Sequence, residues 1–340
     1  MQKVTLSKIT PYIAILAVIA FFSISFLRGS LLLKKSEKEI DIKKQVEEAQ
    51  AKKYSLKEID AKTGQTRWQL VAKEGKTENN LQTAIIKDIE AEVYKNNEIV
   101  FLLKAPFAKA NGTTKEISLF GDVTAKNKSE SFLLSAKQVA LGMGTSIEAQ
   151  KGFSLILKGN GTVTGDSALI NDDQTEITVK DLKEASFKEI LLSGKKVYIE
   201  KDKNGDLKNA IISNGGKIIL KNQNNDSLIA DTIKWQQNGE VEAISNVVYN
   251  SGDKVFKAGQ LTLKPDKTVY AKNNVQIKHG KTQCFGNSLS YENNSLVVIN
   301  GKPKAIQNDK QITADKIVYD LNTGKVQAIG NVRTTVANKV

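Results

Sequence analysis

Ala230-Asp-Thr-Ile-Lys-Trp235 returns as Ala258-Gly-Gln-Leu-Thr-Leu263, as Gly286-Asn-Ser-Leu-Ser-Tyr291 and as Ala314-Asp-Lys-Ile-Val-Tyr319, each copy 28 residues after the last. A small or neutral residue leads, an aliphatic follows three places on, and a large apolar residue two places later. A polar turn comes next, such as Gln237-Asn238-Gly239 or Asn322-Thr323-Gly324. Strict alternation then begins: Val241, Ala243, Ser245, Val247 and Tyr249 in the first unit, and Val269, Ala271, Asn273, Val275 and Ile277 in the second. Val297, Ile299, Gly301, Pro303 and Ala305 continue it, as do Val326, Ala328, Gly330, Val332 and Thr334. Apolar residues at every second position put one face of a strand in a core and the other in water. A fixed period of this kind marks a stacked repeat.

Fainter copies run upstream. Ala136, Val139, Leu141, Ala149 and Phe153 keep the offsets of Ala230, Ile233, Trp235, Ala243 and Val247; Gly165 with Ala168 and Gly194 with Val197 mark two more units. An opening pair falls around Arg67–Ala72 and Ile85–Tyr94. About sixteen repeat strands result, two per unit, and strands that each bury one face are expected to close on each other as two facing sheets. Eight or nine rungs would make a body of roughly 40 Å. The expected fold is all-β: an elongated β-jellyroll or β-taco stack of repeated strand pairs, preceded by one N-terminal transmembrane helix.

That helix is read from Ile9–Leu27, which carries no charge. Nineteen helical residues span about 28 Å, enough for a bilayer core. Lys3 and Lys8 precede the run, but no Ala-x-Ala follows it, so the segment reads as an anchor rather than a cleaved signal. Arg28, Lys34, Lys35 and Lys38 follow the run, so charge counting leans against export of the long part. The expected organisation is a short cytoplasmic tail (1–8), the anchor (9–27), a charged linker (28–53), and two β segments, 54–193 and 194–340.

The chain has a net charge of +13, with its lysines scattered along its length. Few aromatics accompany them and no nucleic-acid module appears, so nucleic acid is not an expected partner. A single cysteine, Cys284, and a single histidine, His279, leave little for a disulfide framework, a metal centre or a Ser-His-Asp triad. His279 reads as a solvated turn residue. Asp202, Asn204 and Asp206 resemble a calcium loop, but Gly205 falls one residue early and Ser213 stands where a bidentate Glu is needed. Asp172, Asp173 and Glu176 read as solvent-facing, without a basic partner. Gly159-Asn-Gly161 lacks the setting of a phosphate loop. No metal, cofactor or catalytic residue is expected, and the chain does not read as an enzyme.

In the alternating strand the third inward position is Ser245, Asn273, Gly301 and Gly330. Small residues stacked rung upon rung either let the sheets approach or leave a slot for acyl chains. The slot reading takes Val241, Ala243, Val247, Val269, Ala271, Val275, Ile277, Ile299, Ala328 and Val332 as its lining. The open ends of such a stack leave strand edges free for docking: Trp68, Leu70 and Ala72 at one end, Val326, Gly330 and Val336 at the other.

Gln311-Ile-Thr-Ala-Asp-Lys-Ile-Val-Tyr319, followed by Lys325-Val-Gln-Ala-Ile-Gly-Asn-Val332, resembles the repeat of the OstA-like β-jellyroll family, which includes the LptA and LptC types of lipopolysaccharide-transport protein. Trp68-Gln-Leu-Val-Ala72, Leu119-Phe-Gly-Asp-Val123 and Ser135-Ala-Lys-Gln-Val-Ala-Leu141 are similar to the LptC type. The length departs from it, as residues from about Gly194 look like an appended LptA-like segment. The resemblance implies an inner-membrane, single-pass protein with its C-terminal body in the periplasm. It would accept lipopolysaccharide from the inner-membrane subunits of an ABC transporter. It would then hand the lipid to an LptA-like bridge protein joined by edge-strand addition. The reading from another class is a structural or adhesive β-solenoid with a packed interior and no lipid ligand.

Overall fold

The structure, a computed structural model, describes residues 50–336 except 79–82, 115, 142–144, 203, 222–225 and 293–294. Ile9–Leu27 therefore lies outside the described residues. Among the described residues no helix is long and apolar enough to cross a membrane.

The described residues form one antiparallel sheet of twenty-three strands. Each strand pairs with the one before it and the one after it in the chain. Gln50–Ile59 pairs with Thr66–Glu78, which pairs with Thr83–Lys95, and so on to Leu207–Leu220. Beyond that point some rungs are broken. Ser227–Ala230 and Thr232–Gln236 both lie between Leu207–Leu220 and Val241–Ser251, as two arms of one rung interrupted at Asp231. Four rungs are split in this way, so twenty-three strands make nineteen rungs.

This arrangement corrects the expected pairing. The two strands of a 28-residue unit do not face each other across the core; Lys254–Leu263 and Val269–His279 are hydrogen-bonded edge to edge. The two walls come instead from a bend within each rung. Ser245 and Asn246 have φ of 63° and 54°, and Asn273 and Asn274 have 66° and 54°. Gly301 with Lys302 and Gly330 with Asn331 repeat the pair. The ladder register shifts at the same places, between Ile244 and Val247 and between Lys272 and Val275. Two successive left-handed residues turn the strand without changing parity, so Val241 and Ala243 before the bend and Val247 and Tyr249 after it all point inward. In sequence that reads as one straight alternating strand. Asn and Gly recur at the bend because they tolerate positive φ best.

The arms fold back on a single apolar core that runs from Trp68 to Leu321. Phe256 and Tyr291, from opposite arms, lie 5.9 Å apart between ring centres. The free margins of the arms, where the turns are, also meet. Lys95 Nζ reaches Asp172 at 3.1 Å and Asp173 at 2.8 Å. Asn127 donates to Gln174 (2.9 Å), Gln174 to the Val100 carbonyl (3.0 Å) and Asn160 to the Asn204 carbonyl (3.3 Å). Further on, Gln307 donates to the Gly324 carbonyl (3.0 Å). Asn127 and Asn160 each contact the turn three strands further along. The seam is therefore staggered, as a twisted sheet closing on itself requires.

Candidate functional site

The residues expected to line an acyl slot do face the interior. Val241, Ala243, Val247, Val269, Ala271, Val275, Ile277 and Ile299 come from successive rungs and stand on the inner faces of the two arms. They also fill it. Val241, Ala243, Val269 and Ile299 have no accessible surface at all, so no water-sized space touches them. Close packing of this kind matches protein interiors generally. Ser245, Asn273, Gly301 and Gly330, read as an inward column, stand exposed at the bend instead.

The interior opens at its ends. At the C-terminal end Val326–Ile329 pairs only with Lys316–Asp320, and Arg333–Val336 only with Lys310–Thr313. Among the described residues this last rung has no neighbour on its other side. Val326 and Ala328 are half-buried, Gly330 is exposed, and Val332 and Val336 are 52% and 60% exposed. Val332 and Val336 hold the parity of the inward residues of earlier rungs, so the apolar inner face is uncovered here. At the other end Trp68, Leu70 and Ala72 are buried on the inner face and lie one strand in from the edge. The edge itself is Gln50–Ile59, which pairs Leu56 with Leu70 and Glu58 with Trp68. A cavity of about 100 Å³ sits there between the arms, lined by Tyr54, Leu56, Trp68, Ala84, Ala110 and Ile117. The indole N–H of Trp68 is buried without a hydrogen-bond acceptor.

A second opening lies in the seam, at mid-body. Phe187 and Ile190 from one margin and Leu207 and Trp235 from the other line a space of about 170 Å³. Asn160, Lys188, Glu189, Asp206 and Gln237 complete its wall. A larger concavity of about 470 Å³, with Leu102, Leu133 and Ile156, lies on the outer face of one arm.

The polar candidates resolve into structural roles, two of them not legible in the sequence. His279 is not a solvated turn residue. Its Nδ1 lies 2.9 Å from the Tyr319 hydroxyl across the seam, and its Nε2 lies 2.9 Å from Asp253. Asp172 and Asp173 do have a basic partner, Lys95. Burial pushes the Asp172 carboxyl up, but hydrogen bonds from Thr145 and Lys95 outweigh it and hold the group below the ordinary carboxylate value. Asp202 Oδ1 accepts the backbone N–H groups of Asn204 and Asp206 within its own turn. Cys284 is a free, buried thiol pushed up to about 12 by desolvation.

Closed rungs, an apolar interior and bare terminal rungs suit a module that stacks end to end. The family described as lipopolysaccharide-assembly, LptC-related, matches residues 13–181, just under half of the chain. Over those residues the chain is LptC-like. The LptC match ends inside the strand Glu176–Phe187, and the same edge-to-edge pairing continues through ten further rungs beyond that strand. Position 194, the expected start of an appended segment, lies inside Ile190–Lys201. Among solved structures the LptC-like chain is similar to LptH of Pseudomonas aeruginosa, described as the LptA homologous periplasmic component of the conserved lipopolysaccharide transport device. Identity is 19%, over 33% of this chain and 95% of that one, with a TM-score of 0.31. No curated protein matches the chain.

Proposed function

We propose that this LptC-like chain is the inner-membrane-anchored periplasmic component of lipopolysaccharide export. In this reading Ile9–Leu27 is the anchor, 28–53 the spacer, 54–193 the LptC-like jellyroll and 194–340 an LptA-like extension. The chain accepts lipopolysaccharide from an ABC transporter and passes it to an LptA-like module added at the C-terminal edge. It works by binding and hand-off rather than catalysis. The observation that carries this is the last rung, where the apolar inner face comes to the surface beside an unpaired strand edge. A strand added there continues both arms and the interior between them. Each buried methylene contributes about 0.8 kcal/mol, which favours entry of acyl chains but gives no direction, so the motor must lie upstream.

The closed interior requires the arms to part before a chain enters. That same closure favours a second reading, a packed structural stack with no lipid ligand. A photo-reactive residue at Ala328 in the full chain, irradiated in cells that make lipopolysaccharide, separates the two. A lipopolysaccharide adduct is expected. No adduct there, together with lipid-free protein by native mass spectrometry, would leave the structural stack.

A further inference from the structure

The cavity at the N-terminal mouth has an unpaired donor in its wall. Trp68 lines it, is 4% exposed, and keeps its indole N–H buried without an acceptor among the described residues. Its register partners are Val93 one rung in and Glu58 on the edge strand, so among the described residues only Gln50–Ile59 lies between this wall and the end of the stack. On the other arm one inward row reads Ala84, Ala110, Ile117 and Leu141 across successive rungs. The row falls to alanine at the mouth, and that loss of side-chain volume opens the space, room for about three water-sized groups. Thr77 heads the same row, and its hydroxyl too is buried without a partner among the described residues. Tyr54 and Leu56 of the edge strand complete the apolar wall. A buried donor left unpaired is costly, so whatever enters this space gains by bringing an acceptor.

We propose that this mouth binds a neutral carbonyl carried on an apolar chain, the ester or amide linkage of an acyl lipid, whose oxygen accepts the Trp68 indole N–H. The inference rests on the lipid-carrier reading and makes Trp68 a specificity-determining residue at the N-terminal end. Hydrocarbon alone fills the space but leaves the donor unpaired. A carboxylate would gain one N–H donor with Glu58 and Glu116 in the same lining, too little to offset the loss of its water. A neutral carbonyl is satisfied by one donor and costs far less to bury.

The chain has two tryptophans, so protein carrying isotope-labelled tryptophan gives two indole N–H signals by NMR. The full-length protein, held in amphipol, is titrated with methyl octanoate, with nonane and with octanoate. The ester should move one indole signal saturably downfield and bind about tenfold more tightly than nonane, for the hydrogen bond that nonane cannot make. Octanoate should bind more weakly than the ester. Trp235→Phe assigns the moving signal by leaving it in place and Trp68→Phe by removing it, so either variant suffices if the other fails to fold. Ala110→Leu fills the space from the opposite wall with the donor intact, and should weaken the ester by at least about tenfold. Nonane matching the ester would overturn the proposal, leaving the N–H merely solvated. Octanoate binding more tightly than the ester would overturn it too, as an anion site. So would a moving signal that belongs to Trp235, or an ester indifferent to Ala110→Leu. The titration needs neither lipopolysaccharide nor a partner protein, so its failure leaves the transport reading standing, and failure of the Ala328 experiment leaves this one testable.

Discussion

Asn246 donates its side-chain amide to the Asp231 carboxylate at 2.8 Å, bridging the bends of two adjacent rungs. Asn331 and Asp315 repeat the bond at 2.9 Å, three units later in the period. In both pairs the Asp backbone N–H also donates to a bend carbonyl, that of Ser245 or Gly330. The clasp holds together the point where each rung leaves its ladder. Where Gly259 takes the place of Asp231, the strand Lys254–Leu263 runs through the bend unbroken, and a Cβ at Gly259 would come within 2.8 Å of Asn273 Cβ.

Removing the clasp acceptor with Asp231→Ala should lower stability by about 1 kcal/mol, the usual worth of one such bond. Asn246→Val should cost more, on the order of 1–3 kcal/mol, because a β-branched residue is then forced to positive φ. Urea unfolding of the two variants measures both effects. Equal losses would mean the backbone conformation carries no strain.

The Lys95 latch makes the seam acid-sensitive. The Asp172 carboxyl is held below 3.8, so its contribution is fully present above that pH and is lost as pH falls below it. Hydrogen bonds that Lys95 donates to Asp173 and Asp172 hold it above 10.5, so that side is lost only in strong alkali. Amide exchange in the turns at 96–97 and 171–175 should therefore rise below about pH 4. Lys95→Met should raise that exchange at neutral pH and flatten its acid dependence.

Lys201 works in the opposite sense. Its folded value, about 8, lies below the ordinary 10.5, so between these values the unfolded chain binds the extra proton. Stability should rise with pH across that window, and the penalty is fully present below it. Thermal unfolding at pH 7.5 and pH 10 (values chosen roughly to bracket the window) should show the rise in the parent. Lys201→Met should abolish it and unfold at a higher temperature than the parent at the lower pH, since an apolar side chain of similar length carries no desolvation cost.

The last rung offers a test of docking that spares the monomer. Val332 and Val336 are exposed, so Glu at either position should change the stability of the isolated chain by less than about 0.5 kcal/mol. In an edge-to-edge assembly both positions become interior, where an unpaired carboxylate is costly. The double variant should weaken a pull-down of an LptA-like partner by at least about tenfold. A proline at Val332 is a poorer probe, because the residue before it, Asn331, has φ of 43°, and proline disfavours helical conformations at that position. Unchanged capture by the Glu variant would rule out the C-terminal edge.

Alternation of apolar and polar residues is a local property, so the sequence by itself determined that this body is a stack of β-strands, which residues face its core, and where the period falls. The bend was not legible, because two left-handed residues preserve parity, and Ser245 or Asn273 then reads as one more inward position. Pairing was not legible either: alternation says which face is buried, not whether the next strand lies beside it or across from it. Only the tertiary structure placed Lys95 against Asp172 and His279 against Tyr319, because the seam joins turns that lie far apart in sequence. The same closure leaves Lys201, at the end of its strand, only 7% exposed.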